Sequence, residues 1–323
     1  MRYKEFGTTG MKVSEMTLGT WGIGGAGWDE NPEDIRKDAI RAAVEAGINF
    51  IDTAPAYNAG QAERYIGDVL KDMGVRKEIF LATKCGNDFI DGKYVRCGRP
   101  EKIMQQCEKS LRNLKTDYID LYLVHWPDPN VPLAETIGAL SELKKQGKIL
   151  HVGVSNFAIE QIREAQKYCE IEAYQPQYSM VAREYESQIR WAADQGMGVM
   201  TYGSLGGGIL TGAYRTIQEY APSDNRNRFY PYFREPMFSK VMMLMEVLDR
   251  IAEERGVPQA QIALNWAMRK PFISTCIVGA QSRKKIEENC ACFGWELSDE
   301  EEKMLDAAIE KYLDDRKKII DQM

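Results

Sequence analysis

The alternation of strand and helix patterns along these 323 residues predicts an α/β fold, a (β/α)8 TIM barrel with an N-terminal β-hairpin and extra C-terminal helices. Three observations carry that expectation. Short apolar runs, nearly all separated by helical patterns, recur at a spacing of roughly thirty residues, and there are eight of them. No composition break, low-complexity linker or internal repeat divides the chain, so residues 1–323 are expected to form one domain. Polar residues capable of chemistry stand at the ends of successive runs, where such barrels place their active sites.

Taken in order, Met1–Val13 alternates and carries Gly7 and Gly10, as a hairpin covering one end of a core would. Glu15–Thr20 reads as the first barrel strand. Pro32–Ala46 reads as a helix with Asn31 as N-cap, proline at the first helical position and Gly47 as terminator. Strand Asn49–Asp52 follows; Pro55 blocks direct continuation into a helix, which starts instead at Gln61 and runs to Met73. Glu78–Lys84 is the third strand and Pro100–Leu114 its helix. Tyr118–His125 is almost continuously apolar apart from Asp120, as a strand covered on both faces should be. Helix Leu133–Gln146, strand Leu150–Ser155, helix Glu160–Tyr168, strand Ala173–Gln177, helix Tyr185–Gln195 and strand Gly198–Tyr202 continue the rhythm. After a long connection to Pro236, helices cover Ser239–Arg255 and Pro258–Arg269, and Ser274–Val278 is the eighth strand. Helical patterns at Lys284–Asn289 and Asp299–Lys311 close the chain, with Asp314–Lys318 as a solvated helix end.

Composition narrows the function classes. Apolar content of 44% with 28% charged residues describes a globular protein with a sizeable core. A formal net charge of −6 argues against a nucleic acid as the main partner. No apolar run approaches the roughly 18 residues of a membrane span, and the first residues lack the apolar centre of a signal peptide. Seven cysteines without a Cys-x-x-Cys spacing and only two histidines leave few ligands for a metal. The expectation is a reduced, cytoplasmic protein without metal, membrane or nucleic-acid partner.

Gly22-Ile-Gly24-Gly-Ala-Gly27 literally matches the dinucleotide fingerprint Gly-x-Gly-x-x-Gly. That fingerprint needs its helix to begin within the glycines, so that the helix N-terminus meets the pyrophosphate. Here Trp28-Asp-Glu-Asn-Pro32 intervenes. The glycines therefore read as a flexible first βα loop.

If the barrel is right, strands two, three and four end at Asp52, Lys84 and His125, with Tyr57 in the loop after the second. Singly, each has an ordinary explanation: a local cap, an exposed charge, a satisfied histidine, a packing tyrosine. Together, on neighbouring strand ends, they can meet on one face. The motifs Asp52-Thr-Ala-x-x-Tyr57, Lys84, Asp120-Leu-Tyr-Leu-Val-His125, Gly153-Val-Ser-Asn156, Gln175 with Gln177-Tyr178, Tyr202-Gly-Ser-Leu and Gly279-Ala280 through Glu288-Asn289 follow in that order. In this series the chain resembles the aldo-keto reductases over nearly its full length, and within them the bacterial members similar to inositol-operon and stress-related reductases.

The resemblance implies an NAD(P)H-dependent oxidoreductase interconverting a carbonyl compound (an aldehyde, ketone or sugar) and its alcohol. Tyr57 would be the general acid/base, assisted by Lys84, Asp52 and His125. The residue types suit that chemistry. Hydride delivery leaves an alkoxide needing a proton, which a phenol of pKa about 10 still holds at neutral pH. A cationic Lys84 would ease its release, Asp52 would keep Lys84 charged, and His125 would donate to the substrate oxygen.

For the coenzyme, the resemblance assigns Ser155, Asn156 and Gln175 to the nicotinamide carboxamide and Tyr202 to stacking on its ring. Gly19, Thr20 and Trp21 join at the first strand end. Ser204, Leu205 and Gly207 would line the pyrophosphate, and Gly279, Ala280, Gln281, Lys285, Glu288 and Asn289 the adenosine end. Many relatives carry a basic residue where this chain has Gln281; here Arg283, Lys284 and Lys285 follow instead, so NADP(H) is expected ahead of NAD(H). Trp21, Tyr57, His125 and Trp126 would contact substrate, with Cys85–Cys97 and Gly212–Pro236 shaping the pocket. The second segment holds Tyr214, Tyr220, Phe229, Tyr230, Tyr232 and Phe233, enough aromatic surface to stack a sugar or polyol ring or, equally, to serve as a lid or a subunit contact. Two other readings stay open: a coenzyme-binding, redox-sensing regulatory subunit with little turnover, and a barrel isomerase or lyase, which two histidines disfavour in its metal-dependent form.

Overall fold

The computed structural model describes residues 1–28, 31–90 and 93–321. In chain order its elements are β1 (Tyr3–Glu5), β2 (Lys12–Ser14), β3 (Met16–Gly19), α1 (Trp21–Gly24), α2 (Glu33–Glu45), β4 (Phe50–Asp52), α3 (Gln61–Met73), β5 (Phe80–Cys85), β6 (Asn87–Ile90), β7 (Lys93–Arg96) and α4 (Pro100–Leu114). Then come β8 (Ile119–Val124), α5 (Leu133–Lys145), β9 (Ile149–Ser155), α6 (Ile159–Ala165), β10 (Ala173–Gln175), α7 (Glu186–Asp194) and β11 (Gly198–Thr201). The chain ends with α8 (Asn225–Phe229), α9 (Met237–Arg255), α10 (Gln259–Met268), β12 (Thr275–Gly279), α11 (Arg283–Cys290) and α12 (Asp299–Ile320).

Strands β3, β4, β5, β8, β9, β10, β11 and β12 close into a parallel barrel in sequence order, β12 pairing back onto β3. This is the predicted (β/α)8 TIM barrel. Parallel strands wrapped by helices are buried on both faces, and β8 is buried at every position, as its apolar run required. The helices seal the outside with amphipathic faces; in α3, Ala62, Tyr65, Ile66, Val69 and Leu70 are turned inward.

The N-terminal hairpin plugs the far end. Phe6, Met11 and Val13 pack against Phe50, Ala82, Leu121, Leu123, Ala173, Met200 and Ile277. Phe6 sits against Gly198 so closely that a Cβ there would lie 2.5 Å from its ring. Closing this end leaves the strand C-termini as the mouth.

Several boundaries differ from the sequence reading. Helix α2 is capped by Pro32 without a side-chain bond, so Asn31 is not its N-cap; the Asn31 amide donates instead to Gln281 Oε1 at 2.8 Å. Helix α12 runs on through Asp314–Lys318 to Ile320. The first βα loop contains one helical turn, α1. Within Cys85–Cys97, the segment expected to shape the pocket, β6 pairs antiparallel with β7. The connection to Pro236 contains α8 and short 3-10 turns. Among the described residues, no helix is long and apolar enough to cross a membrane.

Candidate active site

Strand register brings the polar strand ends together. Gly19 lies opposite Gly279 on one side and Asp52 on the other, and Asp52 lies opposite Ala82, two residues before Lys84. Asp52 is 3% and Lys84 1% exposed, so neither could be tolerated alone. Lys84 Nζ donates to Asp52 Oδ1 and Oδ2 at 2.7 and 2.8 Å, to the Thr53 carbonyl at 2.8 Å and to the Tyr57 hydroxyl at 3.3 Å. Burial pulls the Lys84 ammonium below its ordinary value and pushes the Asp52 carboxyl above its own, while each charge opposes the other's shift. A cation with these acceptors on three sides is fixed in place.

Tyr57 stands over this pair. Its backbone is packed by Gly24, where a Cβ would lie 3.1 Å from the Tyr57 carbonyl carbon, and its ring stacks on Trp21 at 6.2 Å. Arg36 from α2 pins the turn carrying Trp21 by donating to the carbonyls of Ile23 and Gly24. Burial, then the charge of Asp52, holds the Tyr57 phenol well above its ordinary value, with smaller contributions from Tyr202 and Tyr230. The expected easing by Lys84 is outweighed here by that burial and by the Asp52 charge.

The His125 ring meets the Tyr57 ring edge-on at 6.3 Å. Burial, then the Lys84 charge, lowers its pKa well below the ordinary histidine value, so it is neutral at pH 7. Its Nδ1 faces the Asn87 amide nitrogen at 3.1 Å. Asn87 was missed by the sequence reading because its hairpin was missed; the Asp91-Gly92 pair was the available signal. Trp126, the next residue, carries the Arg96 guanidinium over its ring at 5.2 Å.

The residues assigned to a nicotinamide form one network. Ser155 Oγ donates to the Gln175 carbonyl at 2.7 Å, Asn156 Nδ2 to the His125 carbonyl and Ser155 Oγ at 3.0 Å each, and Tyr202 Oη to Asn156 Oδ1 at 2.8 Å. Gln175 Nε2 is committed to Asp52 Oδ1 at 2.8 Å, which leaves its Oε1 without a protein partner among the described residues. Thr20 Oγ1 donates to the Asp52 carbonyl. Ser204 is buried and turns its hydroxyl inward to the Ile277 carbonyl at 3.1 Å. Past it, Leu205 precedes Gly206, Gly207 and Gly208, all at positive φ; at Gly207 (φ 67°) a Cβ would lie 2.7 Å from the Tyr230 ring.

At the end of β12, Gly279 is exposed and a Cβ there would meet nothing closer than 4.0 Å, while Ala280 is buried. On α11, Arg283 is drawn away to Asp38 and Glu45, whose carboxylates hold its guanidinium. Lys284 and Lys285 both lie near Glu288, at 3.7 and 3.3 Å, and Asn289 is buried.

The aromatic side chains of the long connection mostly face inward. Tyr214, Tyr220, Tyr230, Tyr232 and Phe233 pack on one another, which corrects the expectation of a broad stacking surface. Phe229 is the exception: it is 51% exposed and its ring meets Trp21 at 5.4 Å.

Comparison with known proteins agrees with this fold. The family described as "Aldo/keto reductase family" matches residues 15–310. Aldo-keto reductase YhdN of Bacillus subtilis is 37% identical, over 98% of this chain and 96% of that protein. The NADH-specific methylglyoxal reductase of Escherichia coli is 34% identical, over 93% and 95%. The structure of the glycerol dehydrogenase AKR11B4 from Gluconobacter oxydans superposes with a TM-score of 0.85 at 32% identity, covering 94% of this chain and 93% of that one.

Proposed function

The chain belongs to the aldo/keto reductase family, and from that premise we propose that it interconverts a carbonyl compound and an alcohol using a nicotinamide dinucleotide, with Tyr57 as proton donor and acceptor. The observation carrying this reading is the buried chain Asp52–Lys84–Tyr57, in which an ammonium held by a carboxylate lies 3.3 Å from a phenol. We take the whole chain as one catalytic domain. Its seven unpaired cysteines suit a reducing cytoplasm.

The donor set fits such a coenzyme. Gln175 Oε1 and the Ser155 hydroxyl can take up a carboxamide, the Tyr202 ring offers a face, and the open backbone at Gly279 leaves room for the distal half. A bound dihydronicotinamide supplies the hydride. His125, neutral, donates a hydrogen bond to the substrate oxygen and steers it toward Tyr57. Tyr57 then gives its proton to the developing alkoxide, and Lys84 donates to the phenolate that remains. In the oxidative direction the same groups act in reverse.

Trp21, Phe229 and Trp126 frame a small polar substrate, a class that includes the glycerol and methylglyoxal named for two of the relatives. With Arg283 engaged elsewhere, the proposed preference for NADP(H) rests on Lys284 and Lys285 alone. The test is a panel of aldehydes, ketones, sugars and polyols assayed with both coenzymes, with coenzyme binding followed by tryptophan quenching. Turnover of small hydrophilic carbonyls is expected, with higher kcat/KM for NADPH. Tight coenzyme binding without turnover of any class would overturn the enzymatic reading, and a preference for NADH would overturn the coenzyme assignment.

A further inference from the structure

We infer that Asn87 is a positioning residue that fixes His125 as the tautomer with its proton on Nε2. The contact is direct: the Asn87 amide nitrogen lies 3.1 Å from His125 Nδ1. An amide N–H can only donate, so Nδ1 must accept, and a neutral imidazole then carries its single proton on Nε2. That nitrogen lies across the ring from the hairpin, on the side left for a substrate oxygen. With the proton on Nδ1 instead, Nε2 would offer a lone pair to a carbonyl oxygen and repel it.

Both partners are fixed from behind. Gln106 on α4 grips the root of the β6–β7 hairpin, accepting from the Gly86 N–H at 3.0 Å and donating to the Asn87 carbonyl at 2.7 Å. Across the gap, the His125 N–H donates to the Cys85 carbonyl at 2.9 Å, and its carbonyl accepts from Asn156 Nδ2 at 3.0 Å. The hairpin thus has a function beyond shaping the pocket: it delivers a single amide to one edge of one ring. The titratable groups facing that ring are Tyr57 and Lys84, with Asp52 behind Lys84. None of these contacts Nδ1 among the described residues, which leaves the tautomer to Asn87.

The inference rests on the reading of His125 as the substrate's hydrogen-bond donor, and its test separates the two. The chain has only His125 and His151, so long-range proton–nitrogen correlation spectra of 15N-histidine-labelled protein contain two rings, and His151→Gln assigns them. In the unsubstituted protein, His125 Nδ1 should show the shift of an unprotonated ring nitrogen and Nε2 that of a protonated one. Asn87→Asp places an acceptor at Nδ1, so the neutral ring should change to Nδ1–H and the imidazolium should form more easily. Reductive kcat should then fall about tenfold to a hundredfold at neutral pH and partly return on acidification, as the imidazolium regains a proton on Nε2. Coenzyme affinity should not move. Asn87→Leu, which can neither donate nor accept, should give mixed tautomers and an intermediate loss without the acid-side recovery. An Nδ1–H tautomer in the unsubstituted protein, or an unchanged tautomer in Asn87→Asp, would overturn the role of Asn87. A switched tautomer with undiminished turnover would leave Asn87 as the tautomer-setting group and remove His125 from the proposed chemistry.

Discussion

Lys84 is almost fully buried on a strand of a closed barrel, and its charge is tolerated because Asp52 and the Thr53 carbonyl surround it. In Lys84→Met the Asp52 carboxylate keeps only the Gln175 amide, and breaking a buried pair in this way costs about 3–5 kcal/mol. Urea unfolding should report that loss, and Asp52→Asn in the same background should recover part of it. Unchanged stability would mean that Asp52 is already neutral in the fold. The phenol leads to a second expectation. Reduction needs Tyr57 protonated, and its pKa is raised, so the protonated form persists as pH rises and is lost only above that value. The reductive kcat/KM should stay level up to about pH 10. A decline beginning near neutrality would show that Lys84 dominates the phenol once coenzyme is bound.

At the level of elements, the sequence was most readable where apolar periodicity was strong. Helices α3 and α4 begin and end where the pattern said, because Gly74 and the left-handed Lys115 terminate them at the change of period. The β6–β7 hairpin escaped because its strands are four residues each and β7 is exposed throughout, so no apolar alternation marked them. Missing it hid Asn87. The hairpin at the other end was legible from Gly7 and Gly10, but its depth was not: Phe6 occupies the space a side chain at residue 198 would need. Gly198→Ala should therefore cost about 1–3 kcal/mol through overpacking against that ring. Gly138, inside α5 with nothing within 4 Å, is the contrasting case, and Gly138→Ala should stabilise by roughly 0.5–1 kcal/mol. Thermal denaturation of the two variants checks both signs; equal effects would mean that the hairpin plug yields freely.

Over the whole molecule, closure of the barrel turns residues scattered between Gly19 and Asn289 into one rim. The order of strand ends was legible because each stands at the end of an apolar run, and that order brings Asp52, Lys84, Tyr57 and His125 together. What sequence could not give was how the polar groups spend their hydrogen bonds. Gln175 turned to Asp52, Arg283 to Asp38 and Glu45, and the tyrosines of the long connection to one another, since each choice depends on neighbours distant in the chain. The central claim is that this rim binds a nicotinamide coenzyme independently of the group that moves the proton. Tyr57→Phe removes only the hydroxyl and keeps the ring that stacks on Trp21. Tryptophan-quenching titration and steady-state turnover, measured together on this variant, test the claim most directly. Unchanged coenzyme affinity is expected, with turnover lowered about a hundredfold or more. Near-normal turnover beside normal binding would contradict it and give the proton transfer to another group.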